Sequence, residues 1–333
     1  MKNRKWGLVL AGGGGKGAYQ VGVIKALQEQ GWLSSITALS GSSVGALNAA
    51  MVALEDVAHM EKIWRGIRPE QLLDMSLWSK SLIEELQNKY TEIRKFMQAQ
   101  SINEYLATAK SEGMFERDGL IKLIETQVDL EKIRNSKRKI YATLTRQEEC
   151  LPVAEYHLLN GKSNQEIIDL LMASSALPIV YDVVTINGVQ YRDGGLADNV
   201  PLKPLLEDGM ENLIVVRLSP GELSFTKSLP GVGHILEIRP SRDLGDFVSG
   251  TINFEHESIL YRIALGYYDT LRILKEQELV NAGTPTDPMD FKIQMLENHN
   301  RALSENKRNL LLEDVNRHME EFKRYENYYN KLL

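Results

Sequence analysis

Three groups of residues in the sequence have the types and spacing that nucleophilic chemistry requires. The first is the pentapeptide Gly41-Ser42-Ser43-Val44-Gly45, a G-x-S-x-G pattern. A nucleophilic serine needs an exposed hydroxyl on a sharp strand-to-helix turn, and flanking glycines let that backbone pass close to its neighbours. Ser43 is therefore a candidate nucleophile. By itself the pattern is weak, because glycine and serine are common in any such turn.

The second group is the glycine loop, Gly12-Gly13-Gly14-Gly15-Lys16-Gly17. Consecutive glycines expose backbone N–H groups and form an anion-binding nest, which suits an oxyanion hole. A P-loop would need glycine at position 10 and Ser or Thr at position 17, where Leu10 and Gly17 stand. Lys16 is expected to hold the loop or attract a phosphate headgroup, with a plain exposed lysine as the alternative.

A dinucleotide-binding fingerprint also matches the glycine loop formally, as Gly12-x-Gly14-x-x-Gly17. Such a site requires an acidic residue near the end of the second strand. Thr37-Ala38-Leu39-Ser40 stand there instead. The oxyanion interpretation is therefore favoured.

The third group is Asp193-Gly194-Gly195. An aspartate at a strand end, followed by two glycines, can be held rigidly beside another loop. The spacing alone favours a simple turn aspartate.

The elements that must position these groups follow an alternating order at the start of the chain. Apolar residues 6–11 predict a buried strand, and 18–30 predict a helix that ends at Gly31. A short strand at 36–39 and an alanine-rich helix at 44–54 follow. This order predicts a parallel sheet with right-handed crossovers.

Later segments predict further strands and helices. Ser163 to Glu166 form a capping box, and Asn187-Gly188 is a strong hairpin signal. Helix is expected over most of 56–134, to Met172 after the capping box, at 258–275 and at 304–333; strands are expected at 139–145, 153–158, 183–186, 189–191, 213–218 and 235–238.

In combination, these blocks resemble the patatin-like phospholipase family. The turn formed by Gly41 to Gly45, which corresponds to the nucleophile elbow of that family, continues into Ala46-Leu47-Asn48-Ala49, as is common there. Ala173 to Pro178 and Asn199-Val200-Pro201 are also family-like. The resemblance covers about residues 6–205, which we expect to be the catalytic domain. Residues 206–333 would then hold the remaining sheet edge and a helical region.

The resemblance implies a three-layer α/β/α sandwich with a mainly parallel sheet and a C-terminal helical extension. It implies a lipid acyl hydrolase of the phospholipase A, lysophospholipase or carboxylesterase type, with no cofactor and no metal. Ser43 would be the nucleophile and Asp193 the general base of a dyad. The oxyanion hole would be formed by N–H groups among Gly13, Gly14 and Gly15. The supporting motif residues are Gly12, Lys16, Gly17, Gly41, Gly45, Gly194 and Gly195.

Two alternatives stay open at this point. A Ser-Asp-His triad of the α/β-hydrolase type would satisfy the usual chain order with Ser43, Asp193 and then His234 or His256. The chain could also be a catalytically silent lipid-binding or regulatory module on the same scaffold.

Composition and charge narrow the partners. The net charge of −6 argues against nucleic-acid binding, which favours a basic surplus. A single cysteine, Cys150, excludes an intrachain disulfide and fits a reducing compartment. No stretch reaches the length of a membrane span, so we expect a cytoplasmic protein that visits membrane surfaces.

Two segments carry expectations beyond the dyad. Leu72 to Ile83 is apolar and contains Trp78, which fits either a lid or membrane-contacting element or ordinary core. The charged tail, especially Arg317 to Tyr329, is expected to serve as a partner or dimerisation surface.

Overall fold

The computed structural model describes residues 4–72, 115–147, 152–178, 180–220 and 232–282, together with Asn88, Arg301, Ser304 and Glu305. The expectations for the segment after Leu72 and for the charged tail therefore lie outside the described residues. The chain divides into two compact units, residues 1–270 and residues 271–333.

A mixed sheet forms the centre of the first unit. Its strands run in the order β5-β6-β3-β2-β1-β7-β8, with β4 also paired to β3. The pairs β1–β2, β1–β7, β2–β3 and β7–β8 are parallel, whereas β3–β4, β3–β6 and β5–β6 are antiparallel. The strands are β1 Trp6–Leu10, β2 Ile36–Ser42, β3 Lys139–Arg146, β4 Val153–Leu158, β5 Val184–Ile186, β6 Val189–Asp193, β7 Asn212–Val216 and β8 His234–Ile238. The expected mainly parallel α/β fold is confirmed.

Helices flank this sheet and connect its strands. The helices are α1 Ala18–Glu29, α2 Val44–Val52, α3 Val57–Gly66, α4 Pro69–Leu72, α5 Asp118–Gln127, α6 Leu130–Arg134, α7 Asn164–Ser174, α8 Lys203–Glu207 and α9 His256–Ala282. A short 3-10 turn, Gly14–Gly17, precedes α1, and a π-helical turn, Phe247–Thr251, precedes α9.

The central strands are covered on both faces. Every residue of β1 and β7 is buried, as expected for parallel strands between two helical layers. On one face, Val9 and Val215 pack with Leu205 of α8. The apolar runs in the sequence thus identify the middle of the sheet directly.

Strand β3 has a feature that decides where the site forms. Its residues 139–143 pair with β2, and its residues 144–146 pair with β6, while β4 pairs with residues 141–146. A strand has two edges, so β2 and β6 occupy the same edge of β3, one beyond the other. The last residue of β6 therefore lies next to the end of β2.

Local signals in the sequence located several elements correctly. The β5–β6 turn has positive φ at both Asn187 (52°) and Gly188 (78°), the geometry of a type I′ hairpin. Ser163 and Glu166 form the expected capping box at the start of α7.

Strands β2 and β6 are both longer than the sequence pattern indicates, since β6 runs to Asp193. Strand β2 continues from Leu39 through Ser42, because the hydroxyls of its two serines find acceptors on a neighbouring loop. Ser40 donates to the carbonyl of Pro201 at 2.6 Å, and Ser42 donates to the carbonyl of Asp198 at 2.5 Å. Buried polar groups are tolerated in the strand because they are hydrogen-bonded.

Candidate active site

The backbone at Ser43 is strained. Ser43 lies between β2 and α2 with φ 55° and ψ −127°, a conformation that residues other than glycine rarely adopt and that clusters at functional sites. The turn is also tight, since a Cβ on Gly45 would lie 2.1 Å from the carbonyl oxygen of Leu10. The G-x-S-x-G pattern therefore forms the sharp strand-to-helix elbow that an exposed nucleophile requires.

A buried serine on a neighbouring helix fixes this elbow. Ser174, at the end of α7, donates its hydroxyl to the carbonyl of Thr143 at 2.7 Å. The same hydroxyl accepts from the N–H of Ser43 at 3.0 Å. One side chain thus joins β3 to the strained residue, which helps the fold to hold the strain.

Asp193 reaches Ser43 through the pairing of the strands. Ser42 lies opposite Thr143, and Asp193 lies opposite Leu144, on the same edge of β3. The backbone N–H of Asp193 also donates to the carbonyl of Ala176 at 3.0 Å. Two residues far apart in the sequence are therefore neighbours at the carboxyl end of β2.

The carboxyl group of Asp193 is buried, and its pKa lies above the usual value for an aspartate. The residue is 3% exposed, and burial raises its pKa from 3.8 to about 6. Hydrogen bonding by the Ser43 side chain and by the N–H of Gly195, the latter at 2.8 Å to Oδ1, lowers the pKa and offsets part of this effect. The Oδ2 atom lacks a hydrogen bond of ordinary geometry, so it can receive a proton.

The glycine loop lies beside the elbow and is tied to the Asp193 loop by one asparagine. Asn199 accepts from the N–H of Gly12 through Oδ1 at 3.1 Å and through its backbone carbonyl at 3.3 Å. The 3-10 turn then begins at Gly14. In the part of the chain that the structure describes, the N–H groups of Gly13, Gly14 and Gly15 donate to no protein acceptor.

A buried polar chain connects the glycine loop to three helices. Gln20 donates to the carbonyl of Ala11 at 2.7 Å and accepts from Asn48 at 2.7 Å. Asn48 also donates to the carbonyl of Gly17 at 3.1 Å and accepts from the indole N–H of Trp64 at 2.9 Å. Such a satisfied network rigidifies the surroundings of the loop.

A mainly apolar pocket opens at these groups. Gly12, Gly13, Gly14, Ser43 and Asp193 all line it. Its apolar walls come from α2, α3, α5, α7 and nearby loops and include Leu47, Met51, Ile63, Trp64, Leu120, Ile124, Leu171, Val180, Ile252 and Phe254. Leu72, the first residue of the segment interpreted as a lid or core, also lines the pocket.

The supporting motif residues lie around the same pocket. Lys16 is half-buried and its stem runs close to Gly250. Gly17 packs against Val44, and Gly194 packs against the carbonyl of Thr143. No cluster of three or more His, Cys, Asp or Glu side chains in the described ranges has the arrangement of a metal site.

The two histidines of the alternative triad lie elsewhere. His234 is the first residue of β8, whereas Ser43 follows the last residue of β2. Because these strands run parallel, His234 lies at their amino ends and Ser43 at their carboxyl ends. His256 begins α9 and is absent from the described pocket lining.

Several residues of the site gave no signal in the sequence. Ser174, Gln20 and Asn48 are ordinary polar residues in helices, and their roles depend on partners in other elements. Burial in a helix with apolar neighbours was the available hint, since a buried polar side chain needs a partner. The pocket residues Ile252 and Phe254 lie beyond the region of motifs altogether.

Comparison with known proteins establishes the family. The sequence model described as "Patatin-like phospholipase" matches residues 8–206. This span is more than half of the chain, and it contains the elbow, the glycine loop and Asp193. The chain belongs to the patatin-like phospholipase family.

Relatives agree with this assignment. The chain is 24% identical over 225 residues to "Uncharacterized protein YjjU" of Escherichia coli (strain K12), covering 66% of this chain and 53% of that protein. It is 24% identical over 310 residues to human "1-acylglycerol-3-phosphate O-acyltransferase PNPLA3", covering 88% and 56%. A segment of 58 residues is 52% identical to "Lysophospholipase nte1" of Aspergillus terreus, covering 17% and 4%. The chain thus spans about half the length of the first two relatives.

A solved structure shares the fold. The crystal structure of VipD from Legionella pneumophila superposes with a TM-score of 0.50 at 16% identity, covering 83% of this chain and 67% of that one. At this identity the likeness concerns the fold alone.

Proposed function

We propose that this protein is a lipid acyl hydrolase that cleaves carboxylic esters through a Ser43–Asp193 dyad. The observation that carries the proposal is the buried carboxyl group of Asp193 at the end of β2, beside the strained Ser43. Burial there raises the pKa of Asp193 to about 6. A base with a pKa near the working pH is both ionised and able to accept a proton. An aspartate at its ordinary pKa would be a much weaker partner for a serine hydroxyl.

In the proposed reaction, the Ser43 oxygen attacks the ester carbonyl while Asp193 takes the hydroxyl proton. Negative charge then develops on the former carbonyl oxygen. The unengaged N–H groups of Gly13, Gly14 and Gly15 would stabilise it, as pre-positioned donors do in acyl transfer. Asp193 returns its proton to the leaving alcohol, and the acyl group remains on Ser43.

Hydrolysis of the acyl-enzyme follows the same path in reverse. Water loses a proton to Asp193 and attacks the acyl carbonyl. The bond between the acyl carbon and the Ser43 oxygen then breaks, Asp193 returns the proton to that oxygen, and the fatty acid is released. An alcohol in place of water would give acyl transfer instead, and the name of the human relative makes this worth testing. Adding monoacylglycerol phosphate to the assay would reveal transfer as a diacyl product.

The pocket supports an acyl chain as the group that is bound. Its walls are mainly aliphatic and aromatic, and its polar groups are concentrated at the glycine loop, Ser43 and Asp193. Burial of methylene groups contributes roughly 0.8 kcal/mol each, so affinity should rise with chain length. The substrate class is therefore a fatty acyl ester, such as a phospholipid or lysophospholipid.

We further propose that the protein is cytoplasmic and reaches its substrate by transient contact with membrane surfaces. Among the helices that the structure describes, none has both the length and the apolar composition of a membrane span.

Oligomerisation through the C-terminal helices is a separate proposal. Truncation near residue 280 should reduce the oligomer size if it is correct and leave the size unchanged otherwise.

The test is hydrolysis of p-nitrophenyl esters of increasing chain length and of phospholipid vesicles. Ser43→Ala and Asp193→Asn should each abolish activity, and His234→Ala and His256→Ala should keep it. Loss of activity in either histidine variant would favour the triad instead. A wild-type protein that is inactive on every ester would favour the silent lipid-binding module.

A further inference from the structure

A buried arginine outside the family match holds one segment of backbone. Arg262 of α9 is 3% exposed. Its Nη1 donates to the carbonyl of Asn253 at 2.7 Å, and its Nη2 donates to the carbonyls of Ser249 at 2.7 Å and Leu244 at 3.3 Å. In the part of the chain that the structure describes, no carboxylate pairs with this guanidinium.

A buried cation without a counter-charge is unfavourable. Burial lowers the pKa of Arg262 to about 10, which reflects the cost of desolvating the charge. Three carbonyl acceptors satisfy the donors but supply no opposite charge. An apolar residue would avoid this cost, so the arrangement needs a role beyond packing.

The segment that Arg262 holds lies directly behind the glycine loop. A Cβ on Gly15 would be 2.2 Å from the carbonyl oxygen of Asn253, the same oxygen that accepts from Arg262. A Cβ on Gly14 would be 2.1 Å from the carbonyl oxygen of Thr251. The backbone of the glycine loop therefore rests on the backbone of residues 250–253.

The helix that carries Arg262 also packs against α1, the helix that follows the glycine loop. Helices α1 and α9 are in close contact at Gly22. A Cβ at this position would lie only 1.9 Å from the carbonyl oxygen of Ile263. The Tyr19 hydroxyl donates to Asp269 at 3.1 Å. Helix α1 begins at Ala18, directly after the loop, so α9 contacts the helix that follows the loop and also carries the arginine that holds the segment behind it.

We propose that Arg262 is a positioning residue, which fixes the segment Leu244 to Asn253 so that the glycine loop keeps its place beside Ser43 at the pocket. This inference rests on the proposed oxyanion role of Gly13, Gly14 and Gly15. Donors that are already in place cost no reorganisation during the reaction. A displacement of about 1 Å in such a group can lower the rate by roughly a factor of 100.

Arg138 provides a matched control. It also anchors three carbonyls, those of Ile36 at 2.9 Å, Val52 at 3.3 Å and Leu33 at 3.2 Å. These three carbonyls lie around the beginning of β2, at the opposite end of that strand from Ser43. Replacing either arginine by methionine removes an anchor of three backbone carbonyls, and at Arg138 it also removes an ion pair with Glu55 at 3.0 Å.

The kinetic test compares Arg262→Met, Arg262→Lys and Arg138→Met. We expect Arg262→Met to lower kcat roughly 10- to 100-fold with KM changed less than about threefold, and Arg262→Lys to fall between it and wild type. Arg138→Met should lose thermal stability and keep kcat. An unchanged kcat in Arg262→Met, or an equal loss of kcat in Arg138→Met, would overturn the proposal.

Amide hydrogen exchange gives a readout that does not need activity. Peptides covering Gly12–Gly17 should exchange faster in Arg262→Met than in wild type, and at the wild-type rate in Arg138→Met. If Arg262→Met fails to fold, Asp246→Ala loosens the same segment from its exposed side, since Asp246 accepts from the N–H of Ser249 at 2.8 Å.

The exchange result separates the two proposals. If the glycine loop exchanges faster in Arg262→Met than in the wild type, but the wild type hydrolyses no ester, the positioning role is supported and the proposed function is refuted. Active variants of Arg262 with unchanged exchange in the glycine loop would refute the positioning role and leave the proposed function intact.

Discussion

Asp193→Asn should make the protein inactive and, at neutral pH, more stable. Burial raises the pKa of Asp193 from 3.8 to about 6, so ionising this carboxyl group costs free energy in the folded state. A difference of about two pKa units corresponds to about 3 kcal/mol. Asparagine has nearly the same shape and no charge, and it keeps an oxygen to accept from the N–H of Gly195.

The raised pKa also fixes the pH dependence of this gain. Between the unfolded value near 3.8 and the folded value of about 6, the folded state binds more protons than the unfolded state. The stability contributed by this group therefore falls as pH rises through that window. The gain from Asp193→Asn should be about 3 kcal/mol at pH 8, roughly half of that at pH 5, and close to zero below pH 4.

Urea unfolding at pH 8 and pH 5, with ester hydrolysis measured on the same samples, tests this prediction. Ser43→Ala is the matched control, because it removes the nucleophile and keeps the buried charge. It should be inactive without the gain in stability. The reasoning is refuted if Asp193→Asn is less stable than wild type at pH 8, or if the difference is the same at both pH values.

Three further predictions concern the surroundings of the dyad. Wild-type kcat/KM should fall about tenfold per pH unit below about pH 6, as Asp193 becomes protonated; a flat profile down to pH 5 would contradict this. Ser174→Ala should lower kcat about tenfold and the free energy of unfolding by about 1–3 kcal/mol, as measured by steady-state kinetics and urea unfolding. Trp64→Phe leaves the Oδ1 of Asn48 buried without a donor and should cost a similar amount of stability; no loss would show that the network relaxes.

Local rules explain which parts of the fold the sequence reveals. The hairpin at Asn187-Gly188 and the capping box at Ser163 depend on residues within a few positions of each other. The elbow at Ser43 also has a local signal, the G-x-S-x-G pattern. The buried strand β1 has another, an apolar run bounded by glycine. The family resemblance then joins the elbow, the glycine loop and Asp193 before any geometry is known.

Long-range contacts explain what the sequence does not reveal. Strand β2 continues past Leu39 because hydroxyl acceptors arrive from the loop at Asp198 and Pro201. The meeting of Ser43 with Asp193 depends on β6 succeeding β2 along one edge of β3. The segment before α9 has no periodic pattern, yet its carbonyls lie against the glycine loop. Such contacts are set by tertiary packing, which no window of sequence contains.

The most direct test of the dyad is covalent labelling of the protein with a long-chain fluorophosphonate, followed by peptide mass spectrometry. The account predicts one adduct, on Ser43, with loss of hydrolysis in proportion to labelling. Labelling should become slower by at least about 100-fold in Asp193→Asn and remain at the wild-type rate in His234→Ala and His256→Ala. An adduct on a different serine, or full labelling of Ser43 with hydrolysis retained, would contradict the assignment of Ser43 as the nucleophile.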